Sequence, residues 1–262
     1  MTDETTQPAE TRQTIGHPRW PYARRVCHAF RPDAPALAVR DVTVSYPGAP
    51  RPALVALTLT VAAGASVALV GCNGAGKSTL LKAIVGLLPL TGGDIRVGGL
   101  PRGGCHHHVA YLPQRNALDW RFPITVRRLV VTGRYAHLGW LRRPGAADWT
   151  AADAALAELD MTGLAQRQIS ELSGGQQQRA LLARSLAQGA ELLLLDEPLN
   201  EVDAATRSAF GAALARWRAA DQRRAVLTAT HHLHCSEISF DSVIGLAEGR
   251  LAEPAGDWEV VR

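Results

Sequence analysis

Residues 71–79 read Gly71, Cys72, Asn73, Gly74, Ala75, Gly76, Lys77, Ser78 and Thr79, which fits the pattern G-x-x-x-x-G-K-[ST]. Its glycines let backbone N–H groups approach phosphate oxygens, Lys77 reaches the β/γ-phosphates, and Ser78 offers a hydroxyl to Mg²⁺. The ligand this chemistry implies is a nucleoside triphosphate. Further along, Leu192, Leu193, Leu194 and Leu195 run directly into Asp196 and Glu197. Adjacent carboxylates where a buried strand leaves a sheet stand at the usual address of a ligand site in open α/β folds. Alone, the pair could simply be a strand ending in polar residues; beside a phosphate loop it reads as part of the ligand site. Between these two elements lie Leu172, Ser173, Gly174, Gly175 and Gln176. Ser173 suits a helix cap, and the glycines leave first-turn N–H groups uncovered for an anion. A plain cap explains the serine but not two consecutive glycines, which cost a helix about 1 kcal/mol each.

The surrounding pattern supplies elements to carry these groups. Residues 37–46 and 53–61 alternate apolar and polar positions around a Pro/Gly-rich turn, predicting two antiparallel strands. Residues 66–70 form a short apolar strand that enters the Gly-rich loop. A helix is expected from Lys77 to about Leu87, with Leu80, Leu81, Ile84 and Leu87 on one face. Strand, loop and helix in that order is the context the phosphate motif requires. Further strands are expected at 95–97 and 109–112, the second delivering Gln114 at its end. From residue 115 to about 172 the pattern becomes helical and polar: Thr125 starts one helix, and Thr150 with Asp153 predicts a capped start for a helix over 151–161. Alternation then resumes with a helix at 174–187, a strand at 191–195, a helix at 204–217, a strand at 225–230 and short strands after Asp241. Strands alternating with helices predict a largely parallel, covered sheet.

Composition sets the outer bounds. A 262-residue chain can bury a full core, and 47% hydrophobic with 20% charged residues is ordinary for a globular protein. Residues 1–34 carry no apolar stripe and are expected to be a disordered extension, leaving 35–262 as the folded domain. They also hold no apolar stretch of the kind that marks a signal peptide, so the chain is expected to stay in the cytoplasm. No segment approaches the length of apolar sequence a spanning helix needs. The net charge of +4 would suit an anionic partner, but the arginines are scattered and no basic stripe with interleaved aromatics appears, so nucleic acid is not expected as a partner. Cys27, Cys72, Cys105 and Cys235 are far apart and form no C-x-x-C pair, which argues for reduced thiols.

The phosphate loop, the Leu172–Gln176 segment and the Asp196–Glu197 pair, in this order, resemble the ATP-binding subunit of an ABC transporter, over about residues 37–250. That resemblance implies an α/β P-loop NTPase domain of ABC type, with a RecA-like core, an antiparallel β subdomain and a helical subdomain inserted at about 115–172. It further implies that Asp196 holds Mg²⁺, through water, and that Glu197 polarises the attacking water, a division suited to in-line phosphoryl transfer. Tyr46 stands where an aromatic ring stacks on adenine, Gln114 where a glutamine links the Mg²⁺ site to the helical subdomain and the membrane partner, and His231 where a histidine touches the γ-phosphate. Ser173, Gly174, Gly175 and Gln176 match the segment that contacts the γ-phosphate held by the opposite subunit, which implies a head-to-tail homodimer enclosing two ATP molecules. Asp203 fits the acidic residue of the dimer-contact loop, or simply a cap for the following helix.

The stretch after Gln114, including Trp120, Phe122, Gly133 to Tyr135 and Trp140, is similar to the manganese, zinc and iron import branch of these ATPases. It implies an integral-membrane permease and an extracytoplasmic metal-binding protein as partners, with this chain on the cytoplasmic face of the membrane. Trp120, Phe122 and Trp140 are expected at an exposed docking face, the alternative being that they fill the helical subdomain's own core. Importers of iron-siderophore, haem or cobalamin, and soluble non-transport ABC ATPases, remain rival readings. Cys72, Glu201 and His232 depart from the usual family residues, although none replaces a phosphate, metal or water ligand. The runs His106-His107-His108 and His231-His232-x-His234-Cys235 invite a metal reading, but the first opens a strand and the second overlaps the nucleotide switch.

Overall fold

The structure, a computed structural model, describes residues 30–102, 106–138, 142–200, 202–231 and 237–253. The expected N-terminal extension, Trp140, Glu201, His232, His234 and Cys235 therefore lie wholly or mostly outside the described residues.

Two sheets organise the chain. Strands β1 (Leu37–Val44), β2 (Leu54–Val61), β4 (Gly92–Val97) and β5 (Leu100–Pro101) form an antiparallel sheet in the order β2-β1-β4-β5. The second sheet runs β10-β9-β3-β8-β7-β6, built from β3 (Ser66–Val70), β6 (Val109–Leu112), β7 (Leu192–Asp196), β8 (Ala225–Thr230), β9 (Ser242–Ala247) and β10 (Arg250–Ala252). All its pairings are parallel except β9 with β10.

The leucine run of β7 shows why this sheet must be covered twice. Leu192 and Leu194 join the core facing the antiparallel sheet and helix α1 (Lys77–Ile84), whereas Leu193 and Leu195 join the core on the opposite face. A strand buried on both faces has no polar alternation to show, hence the unbroken apolar run. The opposite core is closed by α2 (Val126–Val131), α4 (Ala146–Glu158), α5 (Gly174–Ala187) and α6 (Ala204–Ala219), with the short α3 (Tyr135–Leu138) following α2. Helices α2, α3 and α4 all fall between β6 and β7 in the chain.

Most strand and helix positions agree with the sequence pattern within a few residues, but three expectations fail. Helix α1 ends at Ile84 and Leu87 is 65% exposed, so Leu87 does not belong to the buried face. Helix α4 starts five residues earlier than expected, at Ala146. Asp148, not Asp153, closes its first turn by accepting a hydrogen bond from the Gly145 N–H, while Thr150 donates to the Ala146 carbonyl from inside the helix. Trp120 is not a free docking ring: it packs partly buried against the helical core and its indole N–H donates to the Arg115 carbonyl at 3.0 Å. Phe122, two residues on, is 61% exposed, as expected.

Candidate active site

Register places the chemistry on one edge. In the parallel sheet Val70 pairs with Thr230, Asp196 with Ala229, and Leu112 with Leu195. Gly71, His231 and Glu197 therefore leave their strands next, and Gln114 follows β6 one residue later, all at the carboxyl edge.

From β3 the chain turns through the Gly-rich loop. Cys72, Asn73 and Gly74 are exposed, Ala75 is buried and donates its N–H to the Cys72 carbonyl, and Gly76 adopts φ +105° immediately before α1. That left-handed conformation is open to glycine and strained for other residues. Gly76 also offers α1 no side-chain cap, so the helix N-terminus presents its first N–H groups to whatever enters the loop. The Lys77 ammonium is drawn back onto the loop, donating to the Gly71 carbonyl at 2.6 Å and the Cys72 carbonyl at 3.1 Å. Thr79, nearly buried, shares a 3.2 Å hydrogen bond with the Tyr46 hydroxyl, while Tyr46 keeps 39% of its surface exposed. An aromatic face thus stands beside the phosphate loop.

Ser78 bridges to the acid pair. Its hydroxyl donates to Asp196 Oδ1 at 2.8 Å, and the Tyr111 hydroxyl of β6 donates to Asp196 Oδ2 at 3.1 Å. Asp196 is 1% exposed. Burial, with a smaller contribution from the neighbouring Glu197 charge, raises its carboxyl above the ordinary aspartate range against the two hydroxyl bonds that lower it. Burial and then the Asp196 charge push the Tyr111 phenol well above its usual value, so it remains a donor. The donor set gathered here, hydroxyl and carboxylate oxygens around a carboxylate that burial makes reluctant to carry charge alone, fits a hard divalent cation such as Mg²⁺.

Glu197 adopts φ +50°, a conformation uncommon for a residue with a side chain. Its N–H donates to the Ala229 carbonyl, Asn200 Nδ2 donates to its Oε2 at 2.7 Å, and its Oε1 lies 3.5 Å from His231 Nδ1. Strain of this kind gathers at functional sites, and here the carboxylate lies between the Asn200 amide and the His231 ring. Gln114 is half-buried at the end of β6 and its carbonyl accepts from Ala117. Its side chain makes no hydrogen bond to Ser78 or Asp196.

Among the described residues, the Leu172–Gln176 segment makes no hydrogen bond to this cluster within the chain. Ser173 caps α5, accepting from the Gln176 N–H while Gln176 Oε1 accepts from the Ser173 N–H. The second glycine has an internal reason that the local sequence does not display: a Cβ on Gly175 would strike the Thr206 hydroxyl and Asp203 carboxylate, whereas one on Gly174 would meet only the movable end of the Arg115 side chain. Asp203 itself caps α6 through the Thr206 N–H at 2.7 Å. Among the described residues no cluster of three or more histidine, cysteine, aspartate or glutamate side chains is arranged to hold a metal ion. None of their helices is long and apolar enough to cross a membrane.

The structure brings the expected Lys77, Ser78, Asp196, Glu197 and His231 to one sheet edge and adds Tyr111 and Asn200, which the sequence pattern did not single out. Asn200 had a signal, standing three residues after Glu197; Tyr111 lies 85 residues from Asp196 in sequence and only strand pairing brings the two together.

A phosphate loop, an acid pair and a helix N-terminus on one sheet edge, flanked by an antiparallel sheet and inserted helices, define a P-loop nucleotide-binding domain with a RecA-like core. The ABC transporter family model matches residues 54–200. The chain is 45% identical over 220 residues to the zinc transport system ATP-binding protein of Treponema pallidum, covering 84% of this chain and 81% of that one. It is 42% identical over 212 residues to the manganese transport system ATP-binding protein of Bacillus subtilis, covering 81% and 83%. An inward-facing putative metal-chelate type ABC transporter superimposes with a TM-score of 0.70 at 29% identity, covering 83% of this chain and 82% of that one. The chain belongs to the ABC transporter family, as an ATP-binding subunit.

Proposed function

We propose that this chain binds and hydrolyses ATP as a head-to-tail homodimer and thereby drives a separate membrane permease that imports a divalent metal ion, manganese, zinc or chelated iron. The observation that carries the ATPase reading is the convergence of Lys77, Ser78, Asp196, Glu197 and His231 on one sheet edge, with Ser78 already bonded to Asp196. The metal reading rests on the similarity to zinc and manganese transport subunits.

In this reading residues 71–79 wrap the phosphates with backbone N–H groups, Lys77 exchanges the Gly71 and Cys72 carbonyls for phosphate oxygens, and the Tyr46 ring stacks on adenine. Ser78, Asp196 and Gln114 hold Mg²⁺, which when bound neutralises charge on the phosphates. Glu197 orients the attacking water and takes its proton, kept in place by Asn200; His231 meets the γ-phosphate. Ser173, Gly174, Gly175 and Gln176 serve the nucleotide of the opposite subunit. An extracytoplasmic metal-binding protein would deliver the ion, and the subunit would sit on the cytoplasmic face of the membrane.

The test is uptake. Vesicles containing the permease and this subunit should accumulate radiolabelled Mn²⁺ or Zn²⁺ only with internal Mg-ATP, and the Glu197→Gln protein should not support it. ATP-dependent accumulation of an iron chelate, haem or cobalamin without Mn²⁺ or Zn²⁺ uptake would reassign the cargo.

A further inference from the structure

We propose that Tyr111 is a positioning residue for Asp196, holding the plane of its carboxylate so that the cation is met by a preset ligand; the proposal rests on the reading of Asp196 as part of the Mg²⁺ site. An aspartate carboxylate turns easily about its last torsion, and a single hydrogen bond leaves that rotation free. Here both oxygens are engaged from opposite directions, Oδ1 by Ser78 and Oδ2 by Tyr111. The two restraints differ in kind. Ser78 belongs to the phosphate loop and changes surroundings when nucleotide enters, whereas Tyr111 sits on β6, paired in register with Leu194 beside the acid-bearing strand. Its ring packs partly buried against the core that faces the antiparallel sheet, so its hydroxyl is positioned by strand pairing and core packing. Tyr111 also lies three residues before Gln114 on the same strand exit, so any displacement of Gln114 that pulls on β6 reaches the Asp196 carboxylate through one hydrogen bond.

Tyr111→Phe removes the hydroxyl and keeps the ring. With the hydrogen bond to a charged group lost, the affinity of the ATP-bound protein for divalent cation should fall about tenfold. Mn²⁺ is the probe: its free concentration is read by electron paramagnetic resonance while ATP-saturated protein, in a Glu197→Gln background that halts turnover, is titrated. In the otherwise unaltered protein the Mg²⁺ concentration for half-maximal hydrolysis should rise by a similar factor, turnover at saturating Mg²⁺ should fall much less, and ATP binding without metal should not change. A purely packing role for Tyr111 would not produce that split. Unchanged Mn²⁺ affinity in Tyr111→Phe, with Asp196→Asn abolishing it, would overturn the proposal and leave the proposed function standing. Failure of the parent protein to bind Mn²⁺ with ATP would instead remove the site reading on which both rest. A collapse of thermal stability in nucleotide-free Tyr111→Phe would make the hydroxyl a fold determinant and also overturn the proposal.

Discussion

Glu197→Gln separates the chemistry of the acid pair from its architecture. The Glu197 backbone is fixed by its N–H bond to Ala229, and a glutamine carbonyl can still accept from Asn200 Nδ2, which reaches Oε2 at 2.7 Å. What changes is charge. A charge-assisted hydrogen bond becomes a neutral one, a loss of about 1 kcal/mol, while the repulsion that helps raise the Asp196 carboxyl is removed. These effects oppose each other, so nucleotide-free stability should move by no more than about 1 kcal/mol, or roughly 2–4 °C in Tm for a domain of this size. The rate is another matter. Removing a general base costs about 10²–10⁴-fold, or roughly 3–5 kcal/mol of barrier. Single-turnover phosphate release with enzyme in excess measures the rate, and the rise in Tm with Mg-ATP measures retained binding. Size-exclusion chromatography with Mg-ATP should then show the variant accumulating as a dimer. Undiminished release by Glu197→Gln would remove Glu197 from its role, and loss of the nucleotide-dependent Tm rise would show that the carboxylate binds rather than catalyses.

Two further outcomes follow from the helical region. Phe122→Ser should leave Tm nearly unchanged yet lower metal uptake with the permease, because the ring is exposed and far from the phosphate loop in sequence; Trp120→Ser should instead destabilise by roughly 1–3 kcal/mol as a partly buried ring and its hydrogen bond are lost, read by chemical denaturation. Asp148 gives a pH signature: burial alone would raise its carboxyl, but the Gly145 N–H and then Arg134 outweigh that and hold it below the usual aspartate range. A depressed folded pKa contributes stability above the unfolded value of about 4 that disappears as pH falls through the folded one. Asp148→Asn should therefore be less stable than the parent at neutral pH, with the gap closing as pH drops below about 4; a gap independent of pH would mean that packing, not charge, carries the effect.

The sequence made the candidate site's residues legible because each belongs to a local pattern: a glycine-spaced loop, a cap three residues before its glutamine, two acids after four leucines. Local pattern also misled. Thr150 and Asp153 have the spacing of a capped start, yet Gly145 with Asp148 starts α4, since a glycine lacking a capping oxygen can still be served by the carboxylate at the third helical position. Trp120 looked like a docking ring because nothing in its neighbourhood announces the core that receives it. Properties that arise across the chain were not readable: the left-handed backbone of Glu197, the Tyr111 bond to Asp196, and the close approach of Thr206 that leaves no space for a side chain at Gly175.

The central claim is that the residue 71–79 loop presents ATP to the Asp196–Glu197 edge, and single-turnover release of the ATP γ-phosphate by the unaltered protein and by Lys77→Ala, with and without Mg²⁺, tests it most directly. The Lys77 ammonium rests on the Gly71 and Cys72 carbonyls and in the proposed function is the cation aimed at the phosphates. Release should require Mg²⁺ and fall by at least about a hundredfold in Lys77→Ala, the scale on which a preorganised donor to transferring phosphate acts. Equal release by the two proteins, or release that ignores Mg²⁺, would contradict the account.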